Sequence, residues 1–578
     1  MNKLFLRLFV SVFVLISAVS FAQNVHNGVN LYEVKAGKFD NGKMWTFDNP
    51  PLEYFKQTYG FTPSKEWLDH ARMSALKFAT YCSASFVSED GLVMTNHHCG
   101  RENVTKVAKD GENLAENGFY ASTLAEERKV PDLFVDQLVQ IIDVTKEVQA
   151  EIDKAKDEEE RINLRDRKIE QLEKYWSEKT GNIAQVVSFY SGGQYSVYIY
   201  KRYDDVRLVF APENQAGYFG GDYDNFTYPR YNLDVTYFRV YENGKPLKTE
   251  FYFKWSKNGA DSGEVIFVVG NPASTGRLKS TAELEYMRDY MYPKYLELLS
   301  KAIVYQKMAI ENSSSPAEKQ EAEDNYFSMM NSLKVVSGIV KGLNDPVLMA
   351  RKKDFEKTFW SKIESNSKLK EKYGYLKNEI KETVKELLSE SKKSTGNPFN
   401  PPENVRKIQN SLDAKNILLG RALYEVYGNS IPPDATFTLR LADGVISSYE
   451  YNGTIAPVFT TFYGIYDRYY GFRKQHPFNL PERWKNPPPE FRLETPFNFI
   501  STNDIIGGNS GSPVINKDGE IVGLAFDGNI ESLPSDFIYT TEANRMIAVD
   551  SRGLTEAVKN LYKATKLYEE LINGKIPE

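Results

Sequence analysis

From Thr281 to about Tyr427 this chain reads as helix, and on both sides of that stretch it reads as strand. Leu284, Met287, Met291, Tyr295, Leu298 and Ala302 recur at helical spacing. Beyond Pro432-Pro433 the alternation of Thr436-Phe437-Thr438-Leu439-Arg440 returns to strand, and β character runs on past Ser510. A helical block of about 150 residues is a normal domain size, so it is expected to be inserted between β segments of one larger unit. With 578 residues the chain exceeds what one hydrophobic core organises, and more than one folded unit is expected.

The β segments carry their own punctuation. Ser83-Ala84-Ser85-Phe86-Val87 and Leu92-Val93-Met94-Thr95 flank Glu89-Asp90-Gly91, and Pro513-Val514-Ile515 and Ile521-Val522-Gly523-Leu524 flank Lys517-Asp518-Gly519. An Asp-Gly pair between β-rich runs predicts a hairpin in each case. Tyr54 to Phe78 reads as helix, with Trp67, Ala71, Ala75 and Phe78 on one side. Residues 143–178 are highly charged and predict an exposed amphipathic helix, and strand sequence returns from Ala184 to Val240 and at 263–269.

Hydrophobic residues make up 41% and charged residues 26%, which is globular composition, and the net charge of −6 with no basic stripe argues against a nucleic-acid partner. Lys3 and Arg7 precede an apolar run from Leu8 to Ala22, which predicts a signal peptide over residues 1–22 with cleavage before Gln23. The run falls short of the ~20 apolar residues of a membrane span, so export to the periplasm, cell surface or medium is expected without stable membrane insertion. No Cys follows the cleavage point, so no lipid anchor is indicated. The two cysteines, Cys82 and Cys99, predict a disulfide in an exported protein, two buried free thiols being the alternative.

Chemistry concentrates in two short motifs. A serine hydroxyl needs a base, a group that orients the base, and donors for the developing oxyanion. In Gly507-Gly508-Asn509-Ser510-Gly511-Ser512-Pro513 the glycines permit a tight path that presents Ser510 and aims the amides of Gly508 and Ser510 at one point, an oxyanion hole. Read alone, Gly-Asn-Ser-Gly is also a good turn. Thr95-Asn96-His97-His98-Cys99 supplies the base: together the two motifs resemble the Thr-Ala-Ala-His-Cys and Gly-Asp-Ser-Gly-Gly-Pro signatures of chymotrypsin-like peptidases, in the same chain order. That resemblance implies His98 as the base and leaves His97 a structural neighbour; a metal pair lacks an evident third ligand. For the third member two candidates compete. Asp234 opens the alternating run Val235-Thr236-Tyr237-Phe238-Arg239, as in that family, whereas Asp222 and Asp224 sit in a Gly-rich loop; Asp234 is favoured.

Longer stretches narrow the resemblance. Gly42–Asn49, Tyr59-Gly60-Phe61-Thr62-Pro63-Ser64, Gly220-Gly221-Asp222-Tyr223-Asp224-Asn225, Gly270-Asn271-Pro272 and Gly523-Leu524-Ala525-Phe526-Asp527-Gly528-Asn529 look like the bacterial dipeptidyl-peptidase 7 and dipeptidyl-peptidase 11 family, from near residue 42 to about 550. The resemblance implies a mainly β, chymotrypsin-like double barrel with an inserted α-helical domain. The expected division is a catalytic domain, first part, over 23–277, the helical domain over 278–433, and the second part, carrying the nucleophile, over 434–578. It also implies a homodimer that releases dipeptides from free peptide N-termini without metal or organic cofactor. The substrate ammonium would be held by Asp527, Asn225 and Asn331, with Phe226 in the place where the family usually has Trp. Gly528, where the acid-preferring branch looks to have Arg, implies an uncharged and roomier pocket and a hydrophobic second residue. An endopeptidase on the same barrels and a catalytically silent peptide-binding protein are the competing readings.

Overall fold

The computed structural model describes residues 25, 26, 28–394 and 397–578; the expected signal peptide lies outside the described residues. Both Asp-Gly signals become hairpins. Cys82–Phe86 and Leu92–Thr95 pair antiparallel around Gly91, whose φ of +71° suits glycine. Pro513–Ile515 and Glu520–Gly528 pair around Gly519, at φ +76°. Leu92–Thr95 is buried on both faces, so this strand reads as a continuous apolar run.

Each hairpin belongs to its own sheet, antiparallel but for Lys254–Trp255, which pairs parallel with Glu520–Gly528 in the second. In the first, the order is Ile183–Phe189, Gln194–Tyr203, Val135–Asp143, Ala75–Phe78, Cys82–Phe86, Leu92–Thr95, Thr236–Glu242, Val206–Ala211 and Phe119–Tyr120. In the second it is Phe459–Thr461, Pro496–Ser501, Met546–Asp550, Glu520–Gly528, Pro513–Ile515, Val265–Gly270, Arg440–Val445 and Met44–Trp45. Phe78, Phe86, Val93, Leu208 and Phe238 fill one core; Val268, Phe499, Val514, Val522 and Ala548 fill the other. Each of these Val, Leu and Phe side chains contributes roughly 1.5–3 kcal/mol on burial.

The helical stretch leaves and re-enters the second sheet at one point. Val265–Gly270 and Arg440–Val445 are partners from Val265↔Val445 to Gly270↔Arg440, and a bridge at Ser274↔Thr436 extends the pair. Everything between is therefore a very long hairpin connection, filled by helices from Thr281–Tyr286 to Glu403–Tyr427.

The stretch from Tyr54 to Phe78, read as helix, is instead two helices, Leu52–Tyr59 and Lys65–Ser74, followed by a strand. Helix Lys65–Ser74 stops at Ser74, and Ala75–Phe78 is a strand buried at all four positions between Cys82–Phe86 and Val135–Asp143. Ala75 and Phe78 continue the helical spacing of Trp67 and Ala71, but pairing on both edges outweighs a four-residue periodicity.

Candidate active site

The first sheet positions His98 and Asp234 through one strand pair. Thr236 is paired with Thr95, so running that antiparallel register two residues further sets Asp234 opposite His97, where helix His97–Lys106 begins. Asn96 Nδ2 donates to the Asp234 carbonyl at 2.8 Å, fixing the crossing. The Asp234 carboxylate then accepts twice from His98, at 3.0 Å from its backbone amide and at 2.7 Å from Nδ1. Burial works against the Asp234 charge, but the His98 ring and amide, with His97 adding to them, hold its carboxyl below the ordinary Asp value. Asp234 is 4% exposed and the His98 side chain 36%, so the carboxylate is dry while the imidazole reaches the cleft. Asp222 and Asp224, the competing candidates, stand instead on the short helix Gly221–Asp224 before Asn225.

Ser510 sits on the turn that enters Pro513–Ile515 of the second sheet, with Gly508 at φ +93° and Gly511 at φ +86°. Among the described residues neither the Gly508 nor the Ser510 amide has an acceptor, which leaves both free to donate into the cleft. Ser83 of the first sheet fastens this turn: its amide donates to the Ser510 carbonyl and its Oγ to the Gly508 carbonyl, each at 2.8 Å. Asn271, from Gly270-Asn271-Pro272, donates its amide to Ser83 Oγ at 2.8 Å. Cys82, next to Ser83, is bonded to Cys99, next to His98, and Cys99 Sγ lies 3.7 Å from the Ser510 carbonyl oxygen. The disulfide thus ties His98 and the serine turn to one strand. His98 and the two sulfurs cluster closely, but joined sulfurs offer no thiolate to a metal.

His97 faces the other way. It is 1% exposed, against Gly217, and burial pushes its pKa down to about 4, the Asp234 charge opposing this only in part. Below its ordinary value of 6.5 the unfolded chain takes up a proton that the buried ring refuses. Stability is full above that value and falls as pH drops towards 4, by up to about 3 kcal/mol from this group. Thermal unfolding between pH 7 and 4.5 should show a weaker pH slope in His97→Gln; an unchanged slope would assign the acid sensitivity elsewhere.

The residues expected around a substrate N-terminus come together at the junction with the helical insertion. Asn225 Nδ2 donates to Asn331 Oδ1 at 2.9 Å, Asn331 lying exposed on helix Pro316–Leu343. One turn on, Lys334 Nζ is 3.1 Å from Asp222 Oδ1. Asp527 Oδ2 accepts the amide of Phe226 at 3.1 Å, and Asp527 Oδ1 accepts that of Gly528 at 2.8 Å. Phe226 holds a left-handed φ of +59°, which turns its amide to the carboxylate. Arg230, not singled out from the sequence, pairs through its guanidinium with Asp527 Oδ2.

Comparison with known proteins places the chain in a family. A family model described as peptidase S46 matches residues 39–396 and 399–573. The chain belongs to the peptidase S46 family. It is therefore a serine peptidase, and its fold is the chymotrypsin-like one with a large helical insertion. Among its relatives, a dipeptidyl-peptidase 7 of Capnocytophaga gingivalis is 25% identical over 655 residues, covering 86% of this chain and 90% of that one. An Asp/Glu-specific dipeptidyl-peptidase of Shewanella putrefaciens is 25% identical over 690 residues, covering 86% and 92%. The crystal structure of Porphyromonas endodontalis DPP11 with the dipeptide Arg-Glu superposes with a TM-score of 0.78 at 19% identity, over 92% of this chain and 99% of that one.

The expectation of a hydrophobic second residue, drawn from Gly528, does not stand. The relatives include Asp/Glu-specific enzymes, and two of the matching structures, of Porphyromonas endodontalis DPP11, hold Arg-Glu and Arg-Asp. Nor does glycine leave the open space inferred: a Cβ at 528 would collide with Ser532 Oγ, which comes from the following turn and donates to the Asn529 carbonyl. Among the described residues no helix is long and apolar enough to cross a membrane.

Proposed function

We propose that the chain is a dipeptidyl aminopeptidase working through an acyl-enzyme on Ser510. His98 removes the Ser510 proton and later donates it to the leaving amine, Asp234 fixes the imidazole tautomer and stabilises its cation, and the amides of Gly508 and Ser510 receive the oxyanion. The observation that carries the dipeptidyl reading is the gathering of Asn225, Asn331, the Phe226 loop and the buried carboxylate of Asp527 beside that machinery. A free ammonium leaving water requires such a carboxylate and neutral acceptors. Asp or Glu in second place is proposed from the relatives, since position 528 brings no cation of its own. Export past the inner membrane, a homodimeric assembly and the division near 278 and 433 belong to the same reading.

The test is a panel of peptides varied at the second residue, each free or N-acetylated, with the products weighed by mass spectrometry. Free peptides should yield dipeptides and acetylated ones should remain intact. Cleavage of blocked peptides would favour an endopeptidase. No cleavage, with no fluorophosphonate labelling of Ser510, would favour a silent binding protein. Dipeptides lacking Asp or Glu throughout would remove the acidic preference and keep the aminopeptidase.

A further inference from the structure

On the reading above, Asp527 receives the substrate's ammonium, yet its carboxylate already pairs with Arg230, both side chains being nearly sealed from water at 7% and 2% exposure. An arginine–aspartate pair has no net charge to offer a cation, and an ammonium leaving water without one is costly. Arg230 is committed elsewhere too: Nε donates to Asn232 Oδ1 at 3.3 Å, and its carbonyl accepts from Thr460 Oγ1 at 2.9 Å. The guanidinium is therefore a fixed part of the site.

A second carboxylate lies within electrostatic reach of Arg230. Asp224 precedes Asn225 directly, is 5% exposed, and has a buried Oδ2 with no hydrogen-bond partner among the described residues. That oxygen lies so close to Gly220 that a Cβ there would overlap it. Burial raises the carboxyl above the ordinary Asp value, while the charges of Arg230, Arg468 and Lys334 pull it back. Each of those cations has other business. Arg230 holds Asp527, Lys334 holds Asp222, and Arg468 lies over the rings of Tyr231 and Phe478 at 6.0 and 5.7 Å. A dry carboxylate oxygen without a donor is an expensive group to keep unless a ligand completes it.

We propose that Asp224 is the second carboxylate of the ammonium site, sharing Arg230 with Asp527 so that the three groups together carry one net negative charge for the substrate's α-ammonium. The proposal rests on Asp527 being the ammonium's first acceptor. Asn225, which follows Asp224, and Asn331 of the helical insertion then supply neutral acceptors.

The experiment compares one peptide with its des-amino analogue, identical but lacking the α-amino group, on the full chain and on Asp224→Asn. The quantity read is the ratio of the two kcat/KM values, which isolates the coupling between the ammonium and residue 224. In Asp224→Asn the ratio is expected to fall about tenfold or more, through KM of the amino peptide, a size typical of removing one buried charge partner. An unchanged ratio, including equal losses on both substrates, would make Asp224 a structural residue and overturn the proposal. Should Asp224→Asn fail to fold, Asp224→Ser is read by the same ratio. A parent protein indifferent to the amino group would instead remove the ammonium reading itself, and this proposal with it.

Discussion

Asp234→Asn is expected to lower kcat by about 10⁴-fold with little change in KM or in the unfolding midpoint. The reason is which nitrogen of His98 carries the proton. In the parent, Asp234 Oδ2 accepts from Nδ1 at 2.7 Å, so Nε2 is left as the bare, basic nitrogen. The other oxygen, Oδ1, is held by the His98 backbone amide at 3.0 Å. An asparagine keeps its carbonyl on that amide and turns its NH₂ to Nδ1, which must then accept. The proton moves to Nε2, and the ring can no longer take one from Ser510. Solvent offers no rescue at a carboxylate this buried, and the imidazolium loses its counter-charge as well. Single-turnover and steady-state rates on a dipeptide-releasing substrate, beside a thermal melt, check this. A variant that melts like the parent and turns over within tenfold of it would remove Asp234 from the proposed triad.

Which parts of this site could be read from the sequence follows from how local their causes are. The hairpins around Gly91 and Gly519 announce themselves because the turn chemistry lies within three residues. Ser510, His98 and Asp234 are each embedded in a short stretch with its own backbone requirement, and the insertion shows as a change of periodicity sustained over many turns. What pairing decides was not visible. Ala75–Phe78 carries helical spacing and becomes a strand because partners far along the chain lie on both its edges. Ser83 looks like any small strand residue until Gly508 and Ser510 arrive against it from more than 400 positions away. Arg230 and Asp224 lie close in sequence to the motif residue Asn225, yet only the fold shows that one holds Asp527 and the other has a buried Oδ2 with no hydrogen-bond partner among the described residues. Gly528 marks the same limit: one missing side chain does not describe a pocket when Ser532 fills the space.

Gly511→Ala should destabilise the protein by about 3 kcal/mol or more and lower turnover by at least about 10²-fold in what remains folded. Gly511 sits at φ +86°, a conformation that strains any side-chain-bearing residue. Its position is also closed by neighbours that cannot yield. An added Cβ would overlap the Ser83 carbonyl oxygen and Thr95 Oγ1, and those two are hydrogen-bonded to each other at 2.8 Å. Relief requires the serine turn to lift off the first sheet, which gives up the Ser83 bonds to Gly508 and Ser510. It also moves the amides of Gly508 and Ser510, the proposed oxyanion donors, relative to His98, on the other barrel. Two controls separate these effects. Ser83→Ala deletes one hydroxyl and should cost about 1 kcal/mol with a smaller rate loss. Gly507→Ala, three residues before Ser510, adds a Cβ with nothing within 4 Å and no positive φ, and should change little. Urea unfolding and kcat for the three variants distinguish a glycine required by contact between the barrels from one that merely eases a turn. If Gly511→Ala behaves like Gly507→Ala, the two barrels are not coupled through this turn, and the seating of Ser510 must be sought in its own strand.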